Sequence, residues 1–221
     1  MTMPSSTAPP SAAPDPSDDT GASTRRRPRY TKGARTKQRI VDGALELFAS
    51  SGFHAVSVRD IAAHVGLSHV AVLQHFDGGK DELLIQVLRR RDEREAELQA
   101  TERASTGDVV GFVRRLLGRE VAQPELVSLY VKMASEATSA DHPAHDYFVE
   151  RYHQVRASAA HGFRAYLAQH PEVPPFDVDL VARQAIALID GIQVQWLLEP
   201  ERIDMVETLV AWLATLGIRD A

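Results

Sequence analysis

The run Ser57–Phe76, SVRDIAAHVGLSHVAVLQHF, constrains this chain more than any other twenty residues in it. Two short apolar-periodic segments are separated only by Gly66-Leu67-Ser68. Ser57 is placed to cap the first segment, with Asp60 three residues on as a variant of the capping box. Val58, Ile61, Ala62 and Val65 form its apolar stripe, and Gly66 supplies a left-handed residue to end it. Ser68 then caps a second helix lasting to about Phe76, where Asp77-Gly78-Gly79 breaks it. A Gly-containing three-residue turn between two short helices reads as a helix-turn-helix, in which the first helix braces the second against the major groove of DNA. On the second helix Ala71, Val72 and Phe76 face the core. His69, Val70, Leu73 and Gln74 then fall outside, where Gln74 can pair with adenine, His69 can donate to guanine and the apolar pair can touch thymine methyls.

The surrounding pattern is helical throughout. A first helix is expected over about 34–50, with Ile40, Ala44, Leu47 and Phe48 on one face and Gly52 as a stop. A longer charged helix runs from Lys80 to about Thr101. After Thr106-Gly107 come amphipathic helices near 108–121, 124–139, 143–169, 177–198 and 204–216, with the three prolines of QHPEVPPFD breaking between two of them.

Charge is divided along the chain. The net charge of -5 would argue against a nucleic-acid partner. Residues 25–94, however, hold 14 Lys and Arg against 8 Asp and Glu, whereas residues 95–221 hold 11 against 19. One local basic module meeting polyphosphate fits that division. Six of the twelve prolines lie in the first 28 residues, a Pro/Ser-rich tail (residues 1–33) expected to be disordered and ending in the basic arm RRRPRYTKGARTK. That arm is expected to lie along phosphates. The chain has no cysteine, which excludes disulfides and thiolate metal sites and suits a reducing compartment. No run approaches a membrane span, and the N-terminus lacks the apolar stretch of a secretion signal.

The segment RIVDGALELFASSGFHAVSVRDIAAHVGLSHVAVLQHFDGGKDELLIQVL, Arg39–Leu88, resembles the tetracycline-repressor-like (TetR) family of bacterial transcription regulators. The order A..LF...G, SVRDIA, GLS, HF and K..LL appears in full. The resemblance implies an all-α protein: a helix-turn-helix DNA-binding domain over 34–80, followed by a helical ligand-binding and dimerisation domain over 81–221. It implies DNA contacts from Thr36, Lys37, Ser57, Ser68, His69, Val70, Leu73, Gln74, His75 and Lys80, several of them to phosphate. The family often has Tyr where this chain has Leu73, so that phosphate hydrogen bond is missing.

The implied function is a homodimeric regulator in the bacterial cytoplasm, on the nucleoid when bound to DNA. It would bind a pseudo-palindromic operator in double-stranded DNA and act as a repressor released by an unidentified small-molecule effector. An activator or a ligand-insensitive regulator has the same parts. The dimer is expected through the last two helices, at Ile189, Ile192, Trp196, Leu209, Trp212 and Leu216. An effector pocket is expected at Phe112, Leu116, Tyr130, Met133, Phe148, Tyr152 and His153.

No catalytic residue, metal or cofactor is expected, and no membrane. His142 and His145 flank Pro143, and His153 and His161 are about two helical turns apart, too far to share an ion without a third element. A small all-α enzyme is the remote alternative, but the chain carries no nucleophile elbow, phosphate loop or dinucleotide fingerprint.

Overall fold

The computed structural model describes residues 32–101 and 107–219. The Pro/Ser-rich tail and most of the basic arm lie outside them. Nine helices and no strand occur among the described residues: α1 (Lys32–Ser51), α2 (Val58–His64), α3 (His69–Leu73), α4 (Gly79–Thr101), α5 (Val109–Val121), α6 (Pro124–Glu136), α7 (His145–Gln169), α8 (Val178–Leu198) and α9 (Met205–Thr215).

Local chemistry sets the N-terminal elements. Ser57 Oγ accepts from the Asp60 amide at 3.2 Å while Asp60 Oδ2 accepts from the Ser57 amide at 2.8 Å, a reciprocal capping box. A further hydrogen bond, donated by the Ser57 hydroxyl to Asp60 Oδ2 at 2.6 Å, and then the one from the Ser57 amide hold the Asp60 carboxyl below its ordinary range. At the other end of α2, Gly66 has φ 64°, and the Leu67 amide closes on the Ala62 carbonyl at 2.9 Å. Ser68 Oγ accepts from the Ala71 amide at 3.1 Å and starts α3.

α3 is shorter than its periodicity suggests, ending at Leu73 instead of Phe76. Its exit is tightened by i to i+3 bonds, His75 to Val72 and Phe76 to Leu73, which swing Phe76 into the core. Gly43 explains how α2 lies so close on α1. A Cβ there would sit 2.4 Å from Val65 Cγ1.

Two apolar cores organise the helices. The first joins Ile40, Ala44 and Phe48 of α1, Ile61 of α2, Val72 and Phe76, and Leu83, Leu84, Val87 and Leu88 of α4. It continues without a break into Leu129, Tyr130 and Met133 of α6 and Phe148 of α7. A division at residue 80/81 therefore separates segments of chain, and it does not separate cores. The first three turns of α4 belong with α1–α3. The second core joins α5, α7, α8 and α9 through Leu117, Phe163, Tyr166, Ala182, Trp196, Leu209 and Leu213.

Candidate nucleic-acid interface and effector region

α3 presents a face made outward by its own periodicity. Val72 and Phe76 are each 1% exposed and anchor it, whereas Val70 is 63% exposed and Gln74 stands beside it on the surface. His69, Leu73 and His75 are half-buried at its flanks, as is Ala71, which was expected deeper. The flanking residues expected near phosphate are held as follows. Thr36 Oγ1 donates to the Lys32 carbonyl at 3.1 Å, and the Lys37 ammonium lies 5.0 Å from the centre of the Phe76 ring. Lys80 lies over the Phe53 ring at 4.2 Å and donates to the His54 carbonyl at 3.5 Å. Burial pushes its ammonium below the ordinary lysine range. Lys80 thus ties the start of α4 to the α1–α2 loop.

The seven residues expected to line one pocket do not meet in one place. Tyr130, Met133, Phe148 and Tyr152 gather on the first core, while Phe112 packs on the second. Leu116 is half-buried on α5 and His153 is exposed on α7. Aromatics at helical spacing served two different cores.

Around Tyr130 the structure builds a polar belt that sequence reading missed. Tyr130 donates to the Leu88 carbonyl at 2.7 Å, and its hydroxyl is 3.0 Å from that of Tyr147. Tyr147 in turn donates to Asp92, which also accepts from Arg151 Nη1 at 2.8 Å. The guanidinium groups of Arg91 and Arg151 lie 4.5 and 5.2 Å from the Tyr130 ring centre. Arg91 Nη2 reaches Glu120 at 3.3 Å, and Gln193 donates to the other oxygen of Glu120 at 2.7 Å. Arg119 holds Glu95; burial works against that carboxylate, yet the hydrogen bonds from Arg119 and Gln99 keep it below its ordinary range.

Burial, reinforced by Asp92 at Tyr130 and by Tyr130 and then Asp92 at Tyr147, pushes both hydroxyls far above ordinary tyrosine values, so both act as neutral donors. Tyr152 donates to Asp190 at 2.9 Å and is pushed up to about 12, chiefly by burial. Burial also raises the Asp190 carboxyl, against the hydrogen bond from Tyr152. The belt joins α4 to α5, α6, α7 and α8. The one signal for it in the sequence is the break in the α4 apolar stripe at RRRDERE; its partners lie tens of residues away.

The expected dimer set is also redistributed. Ile192, Trp196 and Leu209 are 4%, 6% and 1% exposed because they fill the second core of their own chain. Ile189, Trp212 and Leu216 are half-buried at its edge. The apolar side chains left outward on α8 are Leu180, Val194 and Leu198, the last 77% exposed. Of the C-terminal histidines, His145 Nδ1 is 2.8 Å from the Ala137 carbonyl, His142 approaches Glu136, and His153 and His161 face solvent. Among the described residues no three His, Asp or Glu side chains are placed to hold a metal ion, and no helix is long and apolar enough to cross a membrane.

Known proteins share both halves of this arrangement. Residues 40–87 match the family of bacterial regulatory proteins named tetR, and residues 106–217 match the C-terminal domain of BetI-type transcriptional repressors. The HTH-type transcriptional regulator BetI of Rhizobium meliloti (strain 1021) is 28% identical over 165 residues, 72% of this chain and 76% of that one. A transcriptional regulator from Saccharomonospora viridis, solved in complex with choline, is 25% identical with a TM-score of 0.67, covering 82% of this chain and 96% of that one. A TetR transcription regulator from Haloarcula marismortui shares the fold at a TM-score of 0.72 and 19% identity, over 83% and 96% of the two chains. The chain belongs to the TetR family of transcriptional regulators, with a helix-turn-helix DNA-binding domain and a C-terminal domain of the BetI type.

Proposed function

We propose that this chain is a homodimeric, sequence-specific repressor in the bacterial cytoplasm, released from its operator by a small molecule. The observation that carries the reading is the outward face of α3, with Val70 and Gln74 free while Val72 and Phe76 lock the helix onto α1 and α4. Ser68, His69, Leu73 and His75 complete the base-facing or rim surface. Thr36, Lys37, Ser57 and Lys80 serve the phosphate backbone. Residues 34–80 are the DNA-binding domain, and 81–221 the effector and dimer domain.

The second copy pairs through α8 and α9. Leu180, Val194 and Leu198 are the outward apolar residues of α8, and half-buried Ile189, Trp212 and Leu216 flank them. Two α3 helices then meet successive major grooves about 34 Å apart on a pseudo-palindrome.

The effector region is the belt around Tyr130. A ligand there acts by its preference for one pairing pattern over another, since equal affinity for two states shifts nothing. The Saccharomonospora viridis relative holds choline. A cation of that kind suits the Tyr152 and Asp190 side of this belt, because aromatic faces and carboxylates attract quaternary ammonium groups. The Tyr130 ring already carries two guanidinium groups.

The test is a footprint of the purified protein on selected genomic DNA, with and without choline. Protection of a pseudo-palindrome that choline at millimolar concentration removes supports the whole reading. Protection that choline leaves intact removes this effector and keeps the regulator.

A further inference from the structure

Lys32, Arg35 and Arg39 follow one another at helical spacing on α1, and all three are exposed. None has an ion-pair partner among the described residues. The first turn of α1 holds no acid, whereas α4, α6, α7, α8 and α9 each carry at least one there. Lys32 and Arg35 therefore sit at the positive end of the helix dipole, and Arg35 and Arg39 are like charges four residues apart. Both placements work against the helix. The two acids further along this face do not offset them, because each is already engaged. Asp42 accepts from Arg94 at 2.6 Å and from Gln38 at 3.2 Å, and Glu46 Oε2 lies 2.8 Å from His64 Nε2. We infer that Lys32, Arg35 and Arg39 form a second DNA-contacting surface, which grips the backbone phosphates flanking the half-site read by α3.

Position selects the partner. The Lys37 ammonium lies 5.0 Å from the centre of the Phe76 ring, which sets the start of α1 beside the exit of α3. At about 3.6 residues per turn the three cations fall on the side of α1 away from Lys37. They look past the base pairs under α3, toward the duplex beyond. The same three residues and Thr36 line a groove of about 910 Å³ that also borders His64 and Val65 at the end of α2.

Spacing selects it too. At a rise of ~1.5 Å per residue the row from Lys32 to Arg39 is about 10 Å long. One strand of a duplex carries about three phosphates in that length, so the row matches a strand better than it matches one small anion. In the sequence the positive charge continues N-terminally as Arg25, Arg26, Arg27 and Arg29, beyond the described residues. Contacts of this kind add affinity that falls with salt and carry no base preference of their own.

The inference rests on the reading that α3 binds an operator, and the experiment separates the two. Affinity of the full chain is measured from about 50 to 200 mM salt for wild type, R35Q/R39Q, R35K/R39K and K132Q. Lys132 is exposed on α6 and also lacks an ion-pair partner among the described residues, so K132Q controls for loss of charge as such. Two duplexes are compared. One is trimmed to the base pairs whose substitution changes affinity, and the other adds about ten base pairs, one helical turn, at each end. Wild type is expected to bind the flanked duplex ~3–10-fold more tightly at low salt, with a salt slope steeper by about 2 than that of R35Q/R39Q. R35Q/R39Q is expected to lose the gain from the flanks, to melt at the wild-type temperature and to rank operator base substitutions as wild type does. R35K/R39K keeps both charges and the slope, and K132Q behaves as wild type. Equal wild-type affinity for the two duplexes overturns the flank contact, as does a loss in R35Q/R39Q of the same size on the trimmed duplex. No preference for any duplex over mixed-sequence DNA refutes the operator reading, and with it the flanking position. The slopes of wild type and R35Q/R39Q on mixed-sequence DNA then judge the phosphate surface alone.

Discussion

The two halves of α4 are built from opposite materials. From Leu83 to Leu88 the helix presents Leu83, Leu84, Val87 and Leu88, all 0% exposed, to α1 and its neighbours. From Arg90 to Glu95 it presents Arg90, Arg91, Asp92, Arg94 and Glu95, each in an ion pair with another helix or its own. The apolar half is non-directional and close-packed, so it holds the helix wherever the first core goes. The polar half is directional, and its partners can be exchanged. Buried ion pairs are weak contributors to net stability, because desolvation offsets much of the attraction. Their use here is to specify one arrangement of α4 against α5–α8.

The sharpest way to break that contrast is at Phe48, which is 0% exposed at the centre of the first core. Phe48→Ala is expected to cost ~3–5 kcal/mol in urea unfolding and to abolish operator binding through loss of the folded domain. Next comes Arg91, whose side chain is 12% exposed against 9% for Glu120. Arg91→Met leaves Glu120 with Gln193 alone and is expected to cost about 2–3 kcal/mol; R91M/E120Q recovers most of it, since the unpaired charge is gone. An apolar contact of the Phe48 kind has no such rescue by a second substitution, and equal costs for R91M and R91M/E120Q would erase the distinction.

Gln74→Ala tests the surface that the first core carries. It is expected to leave stability unchanged and to cost ~1–3 kcal/mol of discrimination at one operator base pair, read by competition between sites. The smallest effect is at Asp190. Burial raises this carboxyl above its ordinary 3.8, so the folded state binds the proton more tightly than the unfolded one. The cost of its charge is present at neutral pH and absent below the unfolded value. Asp190→Asn should therefore raise the thermal midpoint slightly at pH 7 and not near pH 3.

What could be read from the sequence follows the range of the interactions. The capping box at Ser57 and Asp60, the Gly66 turn and the helix order were legible because every contact lies within a few residues. The end of α3 was misplaced by three residues because Phe76 belongs to the core, and its pull shortens the helix that periodicity would extend. The polar belt was not legible: Arg91 meets Glu120 29 residues on, and Glu120 meets Gln193 73 residues on. Nothing in local composition marks such pairs. Ile192, Trp196 and Leu209 show the same limit from the apolar side. Their period reports a buried face, but not whether the cover comes from the same chain or from a second copy.

A regulator built this way must read DNA through α3. Purified full-length protein should be used to select fragments from the genome of its source, and the selected site footprinted at 50 and 200 mM salt. A protected pseudo-palindrome, with half-sites about 10 base pairs apart and affinity falling steeply with salt, is the expected result. Selection that returns no common sequence, with binding at low salt indifferent to the fragment, would contradict it.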